Sequence, residues 1–198
     1  MEKPFSQACE NNKQPILDIL TSAFSGVTRV LEIGSGSGQH IIWFAEHLPC
    51  LHWQPTEMRG NLQGIRLWLK TVQLQNIAEP LRLNVESLPW SVPQPDAIFS
   101  ANTLHIMAKR QVRCFFKGVK QILPVGGCVC VYGPFNYVGE YSSESNARFD
   151  LWLKRQSSHS GIRDFEWVNE LASEAGLSLV ADHDMPTNNR LLEWVRRG

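Results

Sequence analysis

VLEIGSGSG, from Val30 to Gly38, is the stretch whose reading decides the fold. Val30, Leu31 and Ile33 make a short apolar strand with Glu32 near its end, and Gly34, Gly36 and Gly38 follow at every second position. Beyond them Ile41, Phe44, Ala45 and Leu48 recur at helical spacing, so the segment reads as strand, glycine turn and helix. That is how a Rossmann-like sheet opens. The dinucleotide fingerprint needs a further glycine three places after its second one. Those places hold Gln39 or Ile41, which disfavours NAD and a dehydrogenase of related fold.

A nucleoside site on such a sheet needs an acid for the ribose. HWQPTE, His52 to Glu57, reads as a short second strand ending in a carboxylate 19 residues beyond Gly38. That is the interval at which the acid closing the second strand accepts both ribose hydroxyls. A solvated loop glutamate is the plainer alternative, and the position after strand two favours the ribose.

Outward from this core the chain alternates as a doubly wound sheet does. Ile16, Leu17, Leu20, Ala23 and Phe24 form a helical stripe before the first strand, with Pro15 expected in its first turn. Ile65, Leu69 and Val72 mark a helix after Glu57, LRLNV (81–85) a third strand and DAIFSAN (96–102) a fourth. Val112, Phe115, Phe116, Val119, Ile122 and Leu123 make a helix that Pro124, Gly126 and Gly127 stop. CVCVYGPF (128–135) is an apolar fifth strand of the kind buried on both faces. The polar stretch from Tyr137 to Asn146 is expected to be a mobile lid. An amphipathic segment follows near Phe149 to Leu153, then a helix capped by Asp164 and ended by Gly176. LSLVADHDMP and NRLLEWVRR read as two strands joined near Thr187 to Asn189. No repeat or linker divides the chain, so residues 1–198 are read as one domain.

Composition bounds the function. Lys plus Arg and Asp plus Glu balance at 19 each, giving a net charge of zero, so no electrostatic footprint for nucleic acid or an anionic membrane is present. Neither a signal peptide nor an uninterrupted apolar run of ~18 residues is seen, and a cytoplasmic, soluble protein is expected. The five cysteines lack metal-ligand spacing and read as reduced, packed thiols with no metal.

The Glu-x-Gly-x-Gly-x-Gly spacing resembles motif I of the S-adenosylmethionine (SAM) dependent methyltransferases of the Rossmann-like class. Together with FSQACENNKQPIL, WQPTE, ANTLHI, YGPF, SNARFD, GIRD and MPTNN, which span Phe5 to Asn189, it is similar to a small methyltransferase-like family of unknown function with bacterial and animal members. The resemblance implies an α/β, doubly wound, seven-stranded, mostly parallel sheet with a C-terminal antiparallel hairpin. It also implies SAM as cofactor.

By that resemblance Glu32, Gly34, Gly36 and Gly38 line the methionine side of SAM and Glu57 holds the ribose, with Ser35, Met58, Val85 and Asn102 counted in the same cofactor site. The position after strand three usually carries an acid for the adenine amine, and this chain has Asn84 there. An asparagine can read adenine with its amide, or it can simply cap the turn after the strand. The chain shows Ser-Ala-Asn-Thr where amide and ring-nitrogen methyltransferases carry Asn-Pro-Pro-Tyr, which argues against that subclass. His105 is the candidate catalytic base, since an ordinary imidazole titrates near working pH, and a histidine packed beneath the cofactor is the alternative. Asn12, Lys13, Phe135, Tyr141, Asn188 and Asn189 are the candidate substrate-binding residues, with His40 lining the same pocket. The aromatic ones suit a small, partly apolar acceptor or the packing of a lid.

Two function classes remain. One is a SAM-dependent methyltransferase acting on a small molecule, with no nucleic-acid or membrane partner; the other is a SAM-binding module without transfer activity, acting as a sensor or through a partner. The clusters Lys109, Arg110, Arg113 and Arg190, Arg196, Arg197 read as solvated faces.

Overall fold

The computed structural model describes residues 3–198. Its chain order is α1 (Gln7–Ala23), β1 (Arg29–Ile33), α2 (Gln39–His47), β2 (His52–Glu57), α3 (Leu62–Leu69), β3 (Leu81–Arg82), β4 (Ala97–Ala101), α4 (Lys109–Ile122), β5 (Cys128–Gly133), β6 (Phe135–Asn136), α5 (Glu144–Gln156), β7 (Arg163–Asp164), α6 (Phe165–Glu174), β8 (Leu177–Met185) and β9 (Asn189–Arg196). Seven strands form one sheet in the order β3-β2-β1-β4-β5-β9-β8. The first five run parallel, and β9 enters antiparallel to both β5 and β8. This is the Rossmann-like methyltransferase fold with its terminal hairpin.

Period-two alternation along the central strands separates two cores. Leu31, Ile33, Ile98, Val129 and Val131 pack with α4 and α6 on one face. Val30, Ala97, Phe99, Cys128, Cys130 and Tyr132 pack with α1 and α2 on the other. Both faces are covered, as parallel strands require, because helical crossovers lie on each side. The two cysteines of β5 are core thiols, their Sγ atoms 3.9 Å apart. No helix among the described residues is long and apolar enough to cross a membrane.

Several expectations are corrected. The first helix begins at Gln7, so Pro15 lies inside it and not in its first turn. Ser6 caps it, its Oγ accepting from the Cys9 N–H, and the Asn11 carbonyl that Pro15 leaves unpaired sits on an exposed residue where water can serve it. The fifth strand stops at Gly133, and Phe135–Asn136 pairs instead with β7 in a separate two-stranded sheet. The stretch expected to be a lid, Tyr137 to Asn146, runs into α5 over its last three residues: Ser143 caps the helix, accepting from the Asn146 N–H at 3.1 Å. Asp164 does stand at the N-cap of α6, without a side-chain cap bond.

Candidate active site

The glycine loop leaves the carboxyl end of β1 and is clamped to β2. The Gly34 and Ser35 N–H groups both donate to the Thr56 carbonyl at 3.0 Å, and Gly38 N–H closes the turn on the Ser35 carbonyl at 2.9 Å. Thr56 donates its hydroxyl to the Glu32 carbonyl at 2.7 Å. All three glycines have positive φ, at 78°, 55° and 91°, a region costly for any residue with a Cβ. A Cβ on Gly34 would stand 2.4 Å from Thr103 Cγ2, whereas one on Gly36 would meet nothing within 4 Å. The loop is therefore packed at its base and open at its crest.

Two carboxylates flank that opening. Glu32 is 1% exposed, and its Oε2 has no hydrogen-bond partner. Burial pushes its pKa up to about 7; a bond from Ser35 opposes the rise and the Glu57 charge adds to it. Glu57 accepts from the Gly36 N–H at 2.8 Å through Oε2 and from the Met58 N–H at 2.6 Å through Oε1. The ribose candidate thus stands at the crest of the loop. Met58 beside it is exposed, and Val85, at the end of the segment after β3, is buried. Asn84 takes the capping alternative, its side-chain carbonyl accepting from the Glu86 N–H at 3.1 Å.

A second polar group gathers where α1 and α2 meet β5. His40 Nε2 donates to the Asn12 side-chain carbonyl at 2.6 Å, and burial lowers the imidazole pKa to about 4, so the ring is neutral. Burial raises the pKa of the Tyr132 hydroxyl, and the neighbouring Asn12 and Asn189 side chains oppose that rise. Lys13 is drawn away from this group, paired with Glu10 at 2.5 Å and set over the Trp43 ring. Asn12 and Asn189, far apart in sequence, are brought together. Phe135 is 2% exposed and belongs to the core.

Beyond β4, Asn102 adopts φ 57° and His105 packs edge-on to Phe149, ring centroids 5.4 Å apart. Both sit near Gly133: its added Cβ would be 3.6 Å from His105 Nδ1 and 4.0 Å from Asn102 Oδ1. His105 is 6% exposed, and burial, with the Arg163 charge, lowers its pKa to about 4. Its imidazole is neutral at neutral pH and less basic than the ordinary value that made it a candidate base.

The sequence reading missed what holds this loop. Arg163 is buried and donates to the carbonyls of Leu104, Met107 and His159. Asp150 accepts from the Ile162 N–H, the Tyr141 hydroxyl and Lys154. Burial alone would raise the Asp150 pKa, and these bonds hold it below the ordinary value. Tyr141 is therefore tied to α5. The motifs SNARFD and GIRD contained both residues, yet only their folding together shows them as one buttress. Ser100 and Thr103, bonded to each other at 2.6 Å with Ser100 also donating to the Ile33 carbonyl at 2.7 Å, carry the β4 loop onto the glycine loop.

An apolar depression of about 230 Å³ lies at the opposite edge, between Arg29, His52, Gln75 and Pro95 at the amino ends of the strands. Ligands of open α/β sheets gather at the carboxyl ends, where all the groups above converge. No three-residue cluster of metal-ligating side chains occurs among the described residues.

The fold is shared with solved structures. An O-methyltransferase family protein from Burkholderia thailandensis matches with TM-score 0.83 at 16% identity, covering 94% of this chain and 56% of that one. An O-methyltransferase family 2 protein from Planctomyces limnophilus, in complex with apigenin, gives TM-score 0.82 at 16% identity, with coverage of 94% and 56%. Human N-acetylserotonin methyltransferase, in complex with SAM, gives TM-score 0.76 at 13% identity, with coverage of 94% and 55%. The chain spans a little over half the length of these proteins. At that identity the likeness is one of fold, and over residues 3–196 the chain belongs to the family described as "Protein of unknown function (DUF938)".

Proposed function

We propose that this protein is a SAM-dependent methyltransferase acting on a small molecule. The observation that carries the reading is a buried carboxylate with an unpartnered oxygen, Glu32 Oε2, at the foot of a glycine loop whose crest is open. An uncompensated buried carboxylate is costly, and a cationic ligand group removes the cost. The α-ammonium of SAM is such a group. Backbone at Gly36 lets the cofactor approach closely, Glu57 accepts the ribose hydroxyls, and Met58 and Val85 flank the adenine. Asn84 caps the turn with one lone pair of its side-chain carbonyl and keeps its amide N–H groups for the base.

SAM supplies a methyl group activated by a sulfonium, so transfer is an in-line displacement that depends chiefly on placement. The chain's part is to hold an acceptor near Asn102, His105 and Tyr132. With a pKa of about 4, His105 has its lone pair free at neutral pH but is a weak base. That suits an acceptor with an available lone pair or an acidic hydroxyl, such as an amine or a phenol, better than an aliphatic alcohol. The second reading, a SAM-binding module without transfer, draws support from the burial of His105 beneath Phe149.

Thermal shift with SAM, S-adenosylhomocysteine and NAD tests the proposal. SAM and S-adenosylhomocysteine should each raise Tm and NAD should not; a shift with NAD alone would replace the assignment by a dehydrogenase.

A further inference from the structure

A second opening lies on the same edge of the sheet, away from the glycine loop. It is a cleft of about 570 Å³ between the β8–β9 turn and the loop after β6, lined by Tyr137, Ser142, Asp184, Thr187, Asn188 and Arg190, with Asn189 at its inner end. Because β9 runs antiparallel to β5, Asn189 and Arg190 lie at the carboxyl end of the sheet, with Arg190 opposite Gly133. Gly133 in turn stands beside His105 and Asn102, so the cleft adjoins the space around those two residues.

Its side-chain N–H donors and the Tyr137 hydroxyl are committed inward. Arg190 gives Nε to Asp182 Oδ1 at 2.7 Å, Nη2 to the Asp182 carbonyl at 3.0 Å and Nη1 to Asp184. The Tyr137 hydroxyl donates to Asp182 Oδ2 at 2.7 Å. Asn188 Nδ2 donates to Ser145 at 3.2 Å, and Asn189 Nδ2 to the Pro186 carbonyl and Thr187 Oγ1 at 3.2 and 3.0 Å. What stays open is a set of lone pairs: the outer oxygen of Asp184, whose side chain is 93% exposed, and the side-chain carbonyls of Asn188 and Asn189. Asp182, Asp184 and Arg190 together carry one net negative charge. Acceptors in excess of donors, with a negative balance, select a donor-rich cation.

The walls are also held in a costly shape. Val138 (φ 53°) and Thr187 (φ 59°) are β-branched residues in the left-handed region, one in each turn bordering the cleft, where such residues are outliers.

We propose that this cleft anchors an acceptor bearing a primary ammonium or guanidinium group, held by Asp184 with the side-chain carbonyls of Asn188 and Asn189. A protonated nitrogen has no lone pair, so it anchors the molecule while a second group, such as a phenolic oxygen, receives the methyl. The word acceptor rests on the methyltransferase reading; the selectivity for a cation does not.

The test uses the full chain and three near-isosteric probes: tyramine, 2-(4-hydroxyphenyl)ethanol and 4-hydroxyphenylacetate, titrated by ligand-observed NMR without cofactor, with S-adenosylhomocysteine titrated separately. Tyramine should bind roughly tenfold tighter than the neutral alcohol, with the acid weakest. Asp184→Asn should erase that order while leaving Tm and S-adenosylhomocysteine binding in place. Equal affinities, preference for the acid, no binding of any probe, or an unchanged preference in Asp184→Asn would overturn the cleft's assignment. Failure of S-adenosylhomocysteine to bind, with the tyramine preference intact, would instead remove the methyltransferase reading and keep the cation site.

Discussion

The carboxyl edge of the sheet holds two groups of left-handed backbone, and they are built from different residues. In the loop after β1 all three are glycines, Gly34, Gly36 and Gly38; around the hairpin Gly139 is joined by three residues with side chains, Val138, Thr187 and Asn188, with Asn102 between the two regions. A glycine in this conformation relieves strain and leaves space, so the β1 loop is shaped by what must come close to its backbone. A side chain kept there in spite of strain points to what that side chain or its turn must do. The first region thus carries no side chain on its left-handed backbone, whereas the second keeps three beside the one glycine, Gly139. One suits a cofactor bound along backbone, the other an acceptor bound by side chains.

The largest effect that can break the comparison is at the base of the glycine loop. Gly34→Ala puts a Cβ against Thr103 in the left-handed region, and overpacking plus backbone strain together should cost roughly 2–5 kcal/mol. Denaturant unfolding reads this directly. Gly36→Ala, which meets no atom within 4 Å, should cost only the conformational ~1–2 kcal/mol. Equal losses at the two positions would mean that the packed base and open crest are not distinct.

Next comes the ribose contact. Glu57→Ala removes a charged acceptor and leaves two N–H groups, of Gly36 and Met58, to water. Loss of ~1.5–3 kcal/mol of binding, roughly 10- to 100-fold in S-adenosylhomocysteine affinity, is expected from a folded variant. Unchanged affinity by calorimetry would withdraw Glu57 from the cofactor.

Much of this first region was legible because its chemistry is written in short spacings. Glu32, the three glycines and Glu57 fall within 26 residues, and a strand followed by a helix leaves a glycine loop few other uses. Of the second region only the polar turn at Asn188 and Asn189 stood out in the sequence, since the bonds that build it join distant segments: Tyr137 to Asp182, Arg163 to Leu104, Asn146 to Asn188. Phe135 illustrates the same limit from the other side. An aromatic beside a loop suits a pocket wall or a core, and the pairing of β6 with β7, 28 residues later, places it in the core. His105 was located correctly at the end of β4, but the burial that changes its basicity comes from α5 and Arg163, which no local pattern announces.

A smaller effect sharpens the comparison through pH. With its pKa raised to about 7, Glu32 favours the protonated form in the folded protein, so its stability contribution is present below the ordinary carboxylate range and is lost as pH rises through about 7. Binding of a cation at Glu32 has the opposite sign, because only the ionised form pairs with it. Between pH 6 and 8 the ionised fraction rises from about a tenth to about nine tenths, so S-adenosylhomocysteine affinity should rise roughly ninefold. His40 and His105, with pKa values lowered to about 4, stay neutral over that range and add no slope. Calorimetry of Glu32→Gln should be flat across the same interval, and a flat profile in the unaltered protein would remove Glu32 from cofactor binding.

The smallest effect belongs to the hairpin side. Val138 is 85% exposed, so it contributes little packing, yet it occupies φ 53° at the first central position of a two-residue turn whose outer residues, Tyr137 and Glu140, exchange backbone bonds at 3.1 and 2.9 Å. Asparagine and glycine are the residues such a turn ordinarily takes. Val138→Asn should therefore stabilise the protein by about 1 kcal/mol, the strain of a β-branched residue in the left-handed region less the little packing lost. If the side chain is retained for the acceptor, the same variant should weaken tyramine binding while S-adenosylhomocysteine affinity stays put. A gain in Tm with tyramine affinity unchanged would leave the strain as a feature of the turn alone, and the contrast between the two regions would then rest on Thr187, Asn188 and Asp184. A loss of stability would mean that the exposed valine makes contacts worth more than its backbone cost, and the comparison would fail at that position.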